Sequence, residues 1–222
     1  TDSFYGVPYI WNYLGNFGGN SHLNGSFRVI DERFETSLTN GGENMTGIGC
    51  TLEAMDCNPY VFEYVLEKAW DFELHRDVDA WIKALAVRRT GKDDEFAQQA
   101  WAKLLNTIYV DDRPSALKQQ MLNLRPVFND WGWTYNNPAL DEDTANLKEA
   151  LDLLLQADGN GAAYNFDVTN IARQYLTNLF NISFREYEVA VKEGKLEVMK
   201  EKAAFMVQIL DDLDKIVGTQ EY

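Results

Sequence analysis

Asn58-Pro59-Tyr60-Val61-Phe62-Glu63-Tyr64-Val65-Leu66-Glu67-Lys68-Ala69 is the stretch at which the chain changes character. Asn before Pro opens a helix: the Asn side chain suits an N-cap, and Pro suits the first helical position, where its missing N–H is not needed. Val61, Phe62, Val65, Leu66 and Ala69 then recur on one helical face. Downstream the same period returns. Asp77 opens a helix carrying Trp81, Ala84, Leu85 and Arg88. Asp94 to Tyr109 places Ala97, Ala100, Trp101, Leu104, Leu105 and Ile108 at three- and four-residue steps. Further helices are expected over Asp141 to Gln156, Phe166 to about Ala190, and Leu196 to Val217. The last has the cleanest stripe, which reads as packing against a neighbouring helix, being too short for a coiled coil.

Upstream the texture differs, with nine of the 15 glycines within the first 49 residues. Val7 to Tyr13 and Met45 to Cys50 read as strands. A short helix from about Asn24 to Leu38 lies between them, bracketed by Gly18-Gly19 and Gly41-Gly42. Strand, helix, strand, helix makes two consecutive β/α units. The expected fold is therefore mainly α: β/α units over 1–57, then an all-α domain over 58–222. The polar, aromatic run Asn123 to Leu140 interrupts the helices as a long loop.

The chain has 222 residues, 45% of them hydrophobic, enough for a buried core and too many for disorder. A formal net charge of −15 has the wrong sign for neutralising phosphate, so neither nucleic acid nor an anionic membrane is an expected partner. Two His and two Cys without motif spacing argue against a structural metal, and no metal or cofactor is expected. A Cys50–Cys57 bridge stays open. No apolar run approaches a membrane span, and the first residues resemble no targeting signal. The early start of the first strand reads as the interior of something longer. The Asn-x-Ser/Thr triplets at Asn24, Asn44 and Asn181 are weak signals of glycosylation.

In stacked β/α units the segments after the strands face the active site. Two such segments stand out. Leu14-Gly15-Asn16-Phe17-Gly18-Gly19-Asn20 offers amides, a flat apolar ring and glycines that allow close backbone approach, groups suited to a sugar. Thr51-Leu52-Glu53-Ala54-Met55-Asp56 carries a strand-end carboxylate, Glu53, which by spacing alone is one of 35 acidic residues. Asp211-Asp212-Leu213-Asp214 lacks the one-turn spacing of a magnesium box and reads as a solvated helix end.

Taken together, Pro8-Tyr9-Ile10-Trp11, Leu14, Asn16-Phe17-Gly18-Gly19-Asn20, Gly47-Ile48-Gly49-Cys50-Thr51-Leu52-Glu53 and Asn58-Pro59 resemble the α-N-acetylglucosaminidases of glycoside hydrolase family 89. Trp81 with Ala86-Val87-Arg88-Arg89-Thr90-Gly91, Arg125-Pro126 with Trp133 and Tyr135, and Asp167 with Arg173-Gln174 continue the resemblance in family order. The resemblance implies the last two β/α units of a (β/α)8 barrel followed by the family's C-terminal helical bundle. It implies a retaining mechanism on glycans ending in α-linked N-acetylglucosamine, with Glu53 as nucleophile. It also implies that Trp11, Leu14, Asn16, Phe17, Gly18, Gly19 and Asn20 line the sugar pocket, with Trp133 and Tyr135 as an outer wall. The family's acid follows an Asn on an earlier strand. No Asn-Glu dipeptide occurs here, so the acid is expected on an upstream barrel segment or chain, and the isolated chain is expected to be inactive. Asp56 has no matching family role, and Ala54 stands where the family usually has Gly. A secreted, periplasmic or lysosomal hydrolase suits both acidity and resemblance. The competing reading is a non-catalytic helical module that binds glycan or protein.

Overall fold

The structure is a computed structural model that describes residues 2–16, 21–53, 57–70, 76–111 and 140–220. After a 3-10 helix at Asp2–Gly6 come β1 (Tyr9–Gly15), β2 (Gly25–Ser26), α1 (Phe27–Thr39) and β3 (Met45–Leu52). β1 and β3 pair in parallel, with Trp11 opposite Ile48, Tyr13 opposite Cys50 and Gly15 opposite Leu52. Parallel neighbours need a long crossover, and α1 supplies it. The first strand begins two residues later than the sequence reading, after Pro8, which has no N–H to give a ladder.

Side chains alternate across a strand, so the pair has two unlike faces. Trp11, Tyr13, Ile48 and Cys50 pack against the hydrophobic core under the helices. Ile10 and Leu14 point the other way and are 62% and 46% exposed. Small residues, Gly47, Gly49 and Thr51, share that second face on β3. In a closed barrel this is the inward face. Gly25 holds the crossover close to the strand: at φ +120, a Cβ there would lie 3.1 Å from the Tyr13 hydroxyl.

Among the described residues six helices follow, α2 (Pro59–Glu67), α3 (Val78–Thr90), α4 (Glu95–Thr107), α5 (Leu140–Leu154), α6 (Ala162–Glu193) and α7 (Leu196–Val217), with β4 (Val110–Asp111) after α4 bridging back to β2. From α3 onward each helix packs on the next, and α3 also meets α6. The caps are those the sequence indicates: Asp77 accepts from the Ala80 N–H and Asp94 from the Ala97 N–H, each at 2.9 Å. Every stripe residue of α4 named above within the helix is buried, and Trp101 stacks edge-on against Tyr60. In α2 the buried face is Tyr60, Val61, Phe62, Tyr64 and Val65, while Leu66 is exposed and the helix ends before Ala69. Lys68, at 1% exposure, pairs with Asp31 on α1 and lies near the Phe34 and Tyr64 rings, which offset its desolvation.

α6 starts earlier than expected and ends where Gly194 adopts φ +68, a left-handed C-cap. α7 has the expected bounds, and Met206, Ile209 and Leu213 pack on Leu176, Leu179, Phe180 and Phe184 of α6. Leu196 and Leu210 of the expected stripe are exposed, because Ile209 takes the inward position instead. Cys50 and Cys57 are free thiols, and burial pushes Cys50 up to about 11. Asn24 and Asn181 are buried, which removes both as glycan acceptors. No helix among the described residues is long and apolar enough to cross a membrane.

Candidate active site

Because Gly15 pairs with Leu52, the next residues along the chain, Asn16 and Glu53, leave neighbouring carboxyl ends of the sheet. That end is where β/α barrels carry their chemistry. Glu53 is half-buried and stands in a bend directly after Leu52, the last paired residue of β3. Leu14, Asn16 and Glu53 are thus brought to one end of the sheet. Trp11 is not. An odd position on β1 faces the helices, and its ring meets Phe34 edge-on at 5.3 Å between centroids. Trp11 is a core residue between strand and α1, which corrects its expected place in a pocket wall. Phe17, Gly18, Gly19, Asn20, Ala54, Asp56, Trp133 and Tyr135 lie outside the described residues, as do Arg125, Pro126 and all of the Asn123 to Leu140 run before Leu140.

Asn16 also differs from expectation. It is 2% exposed at φ +53, a backbone angle Asn tolerates better than most residues. Its Nδ2 donates to the His22 carbonyl and its Oδ1 accepts from Asn58 Nδ2, both at 2.9 Å. Those bonds join Asn16 to His22 and Asn58 in the interior, so the amide is engaged with buried protein groups. Asn58 does not cap its helix with its side chain. Its Nδ2 donates to the His22 carbonyl at 3.0 Å, and its Oδ1 accepts from the Asn24 N–H at 3.3 Å and the Tyr109 hydroxyl at 3.2 Å. Backbone groups of a buried loop need partners, and these amides supply them.

The other half of the clamp comes from α6. Arg173 donates to the Ser21 carbonyl at 2.9 Å and is itself held by Asn170 Oδ1 at 2.8 Å. Gln174 Oε1 accepts from the Leu23 N–H at 2.9 Å, which fixes the orientation of its amide. Its Nε2 then donates to Asn178 Oδ1 at 2.8 Å and to His22 Nδ1 at 2.9 Å. His22 accepts at Nδ1, so it is neutral with its proton on Nε2. Asn170 Nδ2 bonds the Cys57 carbonyl at 2.8 Å and the Tyr60 hydroxyl at 2.7 Å, tying the segment after Glu53 to the same helix. Asp167, one turn earlier, holds Arg89 of α3 through two bonds, Nε to Oδ2 at 2.8 Å and a terminal nitrogen to Oδ1 at 2.5 Å. Burial pushes Asp167 up to about 6 against the opposing pull of Arg89.

Ser21, Leu23 and Cys57, where the chain returns from the sheet, are therefore pinned to α6. Asp167, Arg173 and Gln174 were visible in the sequence only through resemblance; Asn58, Asn170, Asn178 and His22 were not singled out for this role. The missed signal is a polar stripe at helical spacing, Asn170, Gln174, Thr177, Asn178 and Asn181, all buried.

Fold and site together define part of a β/α barrel, with a strand-end carboxylate, fused to a helical domain that clamps its loops. The chain belongs to the alpha-N-acetylglucosaminidase (NAGLU) family: the family model of the TIM-barrel domain matches residues 1–72 and that of the C-terminal domain matches residues 81–222. Human alpha-N-acetylglucosaminidase is 26% identical over 225 residues, covering 99% of this chain and 30% of that protein. A family 89 glycoside hydrolase from Clostridium perfringens, solved as a double Glu→Gln variant with its substrate GlcNAc-alpha-1,4-galactose, superposes with a TM-score of 0.82 at 22% identity. The same bacterial hydrolase in complex with PUGNAc gives 0.80 at 23%. Each covers 96% of this chain, which spans 25% of the bacterial chain. At these identities the superposition shows the fold.

Proposed function

We propose that this chain is the carboxyl-side part of a retaining exo-glycoside hydrolase that releases terminal α-linked N-acetylglucosamine from glycans, with Glu53 as nucleophile. The observation that supports the reading is the place of Glu53, directly after the last paired residue of a parallel strand, at the carboxyl end of the sheet. The names of the relatives agree with the substrate class, and a substrate complex obtained with two glutamates replaced agrees with a two-glutamate mechanism.

In this reading the Glu53 carboxylate attacks the anomeric carbon while the bond to the leaving oxygen breaks. A carboxylic acid on an upstream barrel segment, about 5 to 5.5 Å away as in retaining enzymes generally, gives its proton to that oxygen. The same group then takes a proton from water, which attacks the glycosyl–Glu53 ester, releases the sugar and restores both carboxyl groups. Leu14 lines the inward wall, with Phe17 to Asn20 near the sugar and Trp133 and Tyr135 at the outer rim. The helical domain, taken from residue 58, contributes the clamp, and without the upstream acid the isolated chain is inactive. A secreted, periplasmic or lysosomal compartment fits the reading.

Glu53→Gln in the complete gene product tests it. Hydrolysis of an aryl α-N-acetylglucosaminide is expected to fall at least about a thousandfold with the fold intact, since covalent catalysis is lost. Unchanged hydrolysis would leave the non-catalytic binding module as the better account.

A further inference from the structure

We infer that His22 is an acid-sensitive latch between the segment leading into β2 and helix α6, closed while its imidazole is neutral and released when the ring takes up a proton. The inference does not depend on the reading of Glu53. Residues 21–24 are held on α6 at the Ser21 carbonyl by Arg173 and at the Leu23 N–H by Gln174. His22 sits between these two anchors, 5% exposed, with its carbonyl engaged by Asn16 and Asn58. Its ring reaches α6 through Nδ1, which lies 2.9 Å from Gln174 Nε2.

Three bonds decide where the imidazole proton sits. The Leu23 N–H can only donate, so the Gln174 oxygen faces it and the Gln174 nitrogen faces His22. That nitrogen also donates to Asn178 Oδ1 at 2.8 Å, which uses its second hydrogen. Nδ1 is therefore an acceptor, and a proton placed on it meets a donor. Turning the Gln174 amide over gives no relief, because its nitrogen then opposes the Leu23 N–H. Either way a bond holding residues 21–24 to α6 is lost inside the protein.

The ionisable groups around this contact are Arg173 and Asp167 on α6, Arg89 on α3, Tyr13 on β1, Cys57 and Tyr60 at the start of α2, and Tyr109 after α4. Burial keeps the three phenols protonated. Asp167, two turns before Gln174, is engaged by Arg89, and the Cys57 carbonyl by Asn170. Arg173 is permanently charged, so a proton on His22 adds a second positive charge to the segment that Arg173 already holds.

Hydrogen exchange of the complete gene product, read by mass spectrometry on peptides carrying Leu23 and corrected for the intrinsic rate at each pH, tests the latch. In wild type the protection of these peptides is expected to fall at least about tenfold between about pH 7.5 and about pH 5, the loss of one buried hydrogen bond. His22→Asn keeps an acceptor near the place of Nδ1 and cannot titrate, so its protection stays level. Gln174→Glu turns the partner into an acceptor, and protection should then rise as His22 gains its proton. The Asn178 amide, whose Nδ2 is buried without an acceptor, can turn to donate to the new carboxylate. Level protection in wild type would overturn the inference. So would an equal fall in His22→Asn, which assigns the effect to another group such as Asp167. If His22→Asn fails to fold, the other two variants decide: a fall in Gln174→Glu as large as in wild type, or loss of the fall in Asp167→Asn, overturns the latch.

Discussion

α4 and α6 both pack into one bundle, yet beside its apolar contacts α6 buries a polar stripe that α4 lacks. α4 turns Ala97, Ala100, Trp101, Leu104 and Leu105 inward, each at most 1% exposed. α6 turns in Asp167, Asn170, Gln174, Thr177 and Asn178, each at most 4% exposed. The difference lies in what each faces. α4 meets other side chains, where removing apolar area from water suffices. α6 meets the backbone of residues 21–23 and 57, whose N–H and C=O groups need hydrogen bonds once buried. The apolar face packs the bundle, and the polar face holds the backbone of Ser21, Leu23 and Cys57.

Truncating each face should separate these roles. Leu104→Ala, in the apolar face, is expected to cost about 2–5 kcal/mol of stability while the folded fraction keeps its activity. Gln174→Leu keeps the volume but strands the Leu23 N–H. It should cost less stability, about 1–3 kcal/mol, yet lower kcat/KM of the complete gene product more than Leu104→Ala does. Urea unfolding and glycoside hydrolysis on the same samples check the contrast, and equal losses of activity per folded molecule would erase it.

A smaller effect concerns pH. Asp167 holds its proton more tightly in the fold, about 6 against 3.8, because it is buried. Its contribution to stability is therefore fully present below the unfolded value and is lost as pH rises through about 6. Asp167→Asn lacks that dependence. The stability difference between wild type and Asp167→Asn should narrow as pH rises from about 4 to about 7, and parallel stability curves would show that Asp167 does not titrate in this way.

The apolar half of this architecture was legible in the sequence. Periodicity placed α3, α4 and α7, and acidic caps marked Asp77 and Asp94, because side-chain spacing alone determines which residues share a face. The strands were read without knowing which face meets the helices, and the resemblance that put Trp11 in the pocket wall did not show that its ring packs on Phe34. The polar half was not legible. Asn16 and Asn58 look like a ligand-facing amide and a helix cap, and only the folded chain shows that both serve buried backbone. A polar residue announces that it needs a partner without naming one.

The most direct test of the central claim is covalent trapping. The complete gene product is treated with a slow-turnover fluorinated α-N-acetylglucosaminide, digested and sequenced by mass spectrometry. The account predicts one glycosyl adduct, as an ester on Glu53. An adduct on another carboxylate, with Glu53 unmodified, would contradict it.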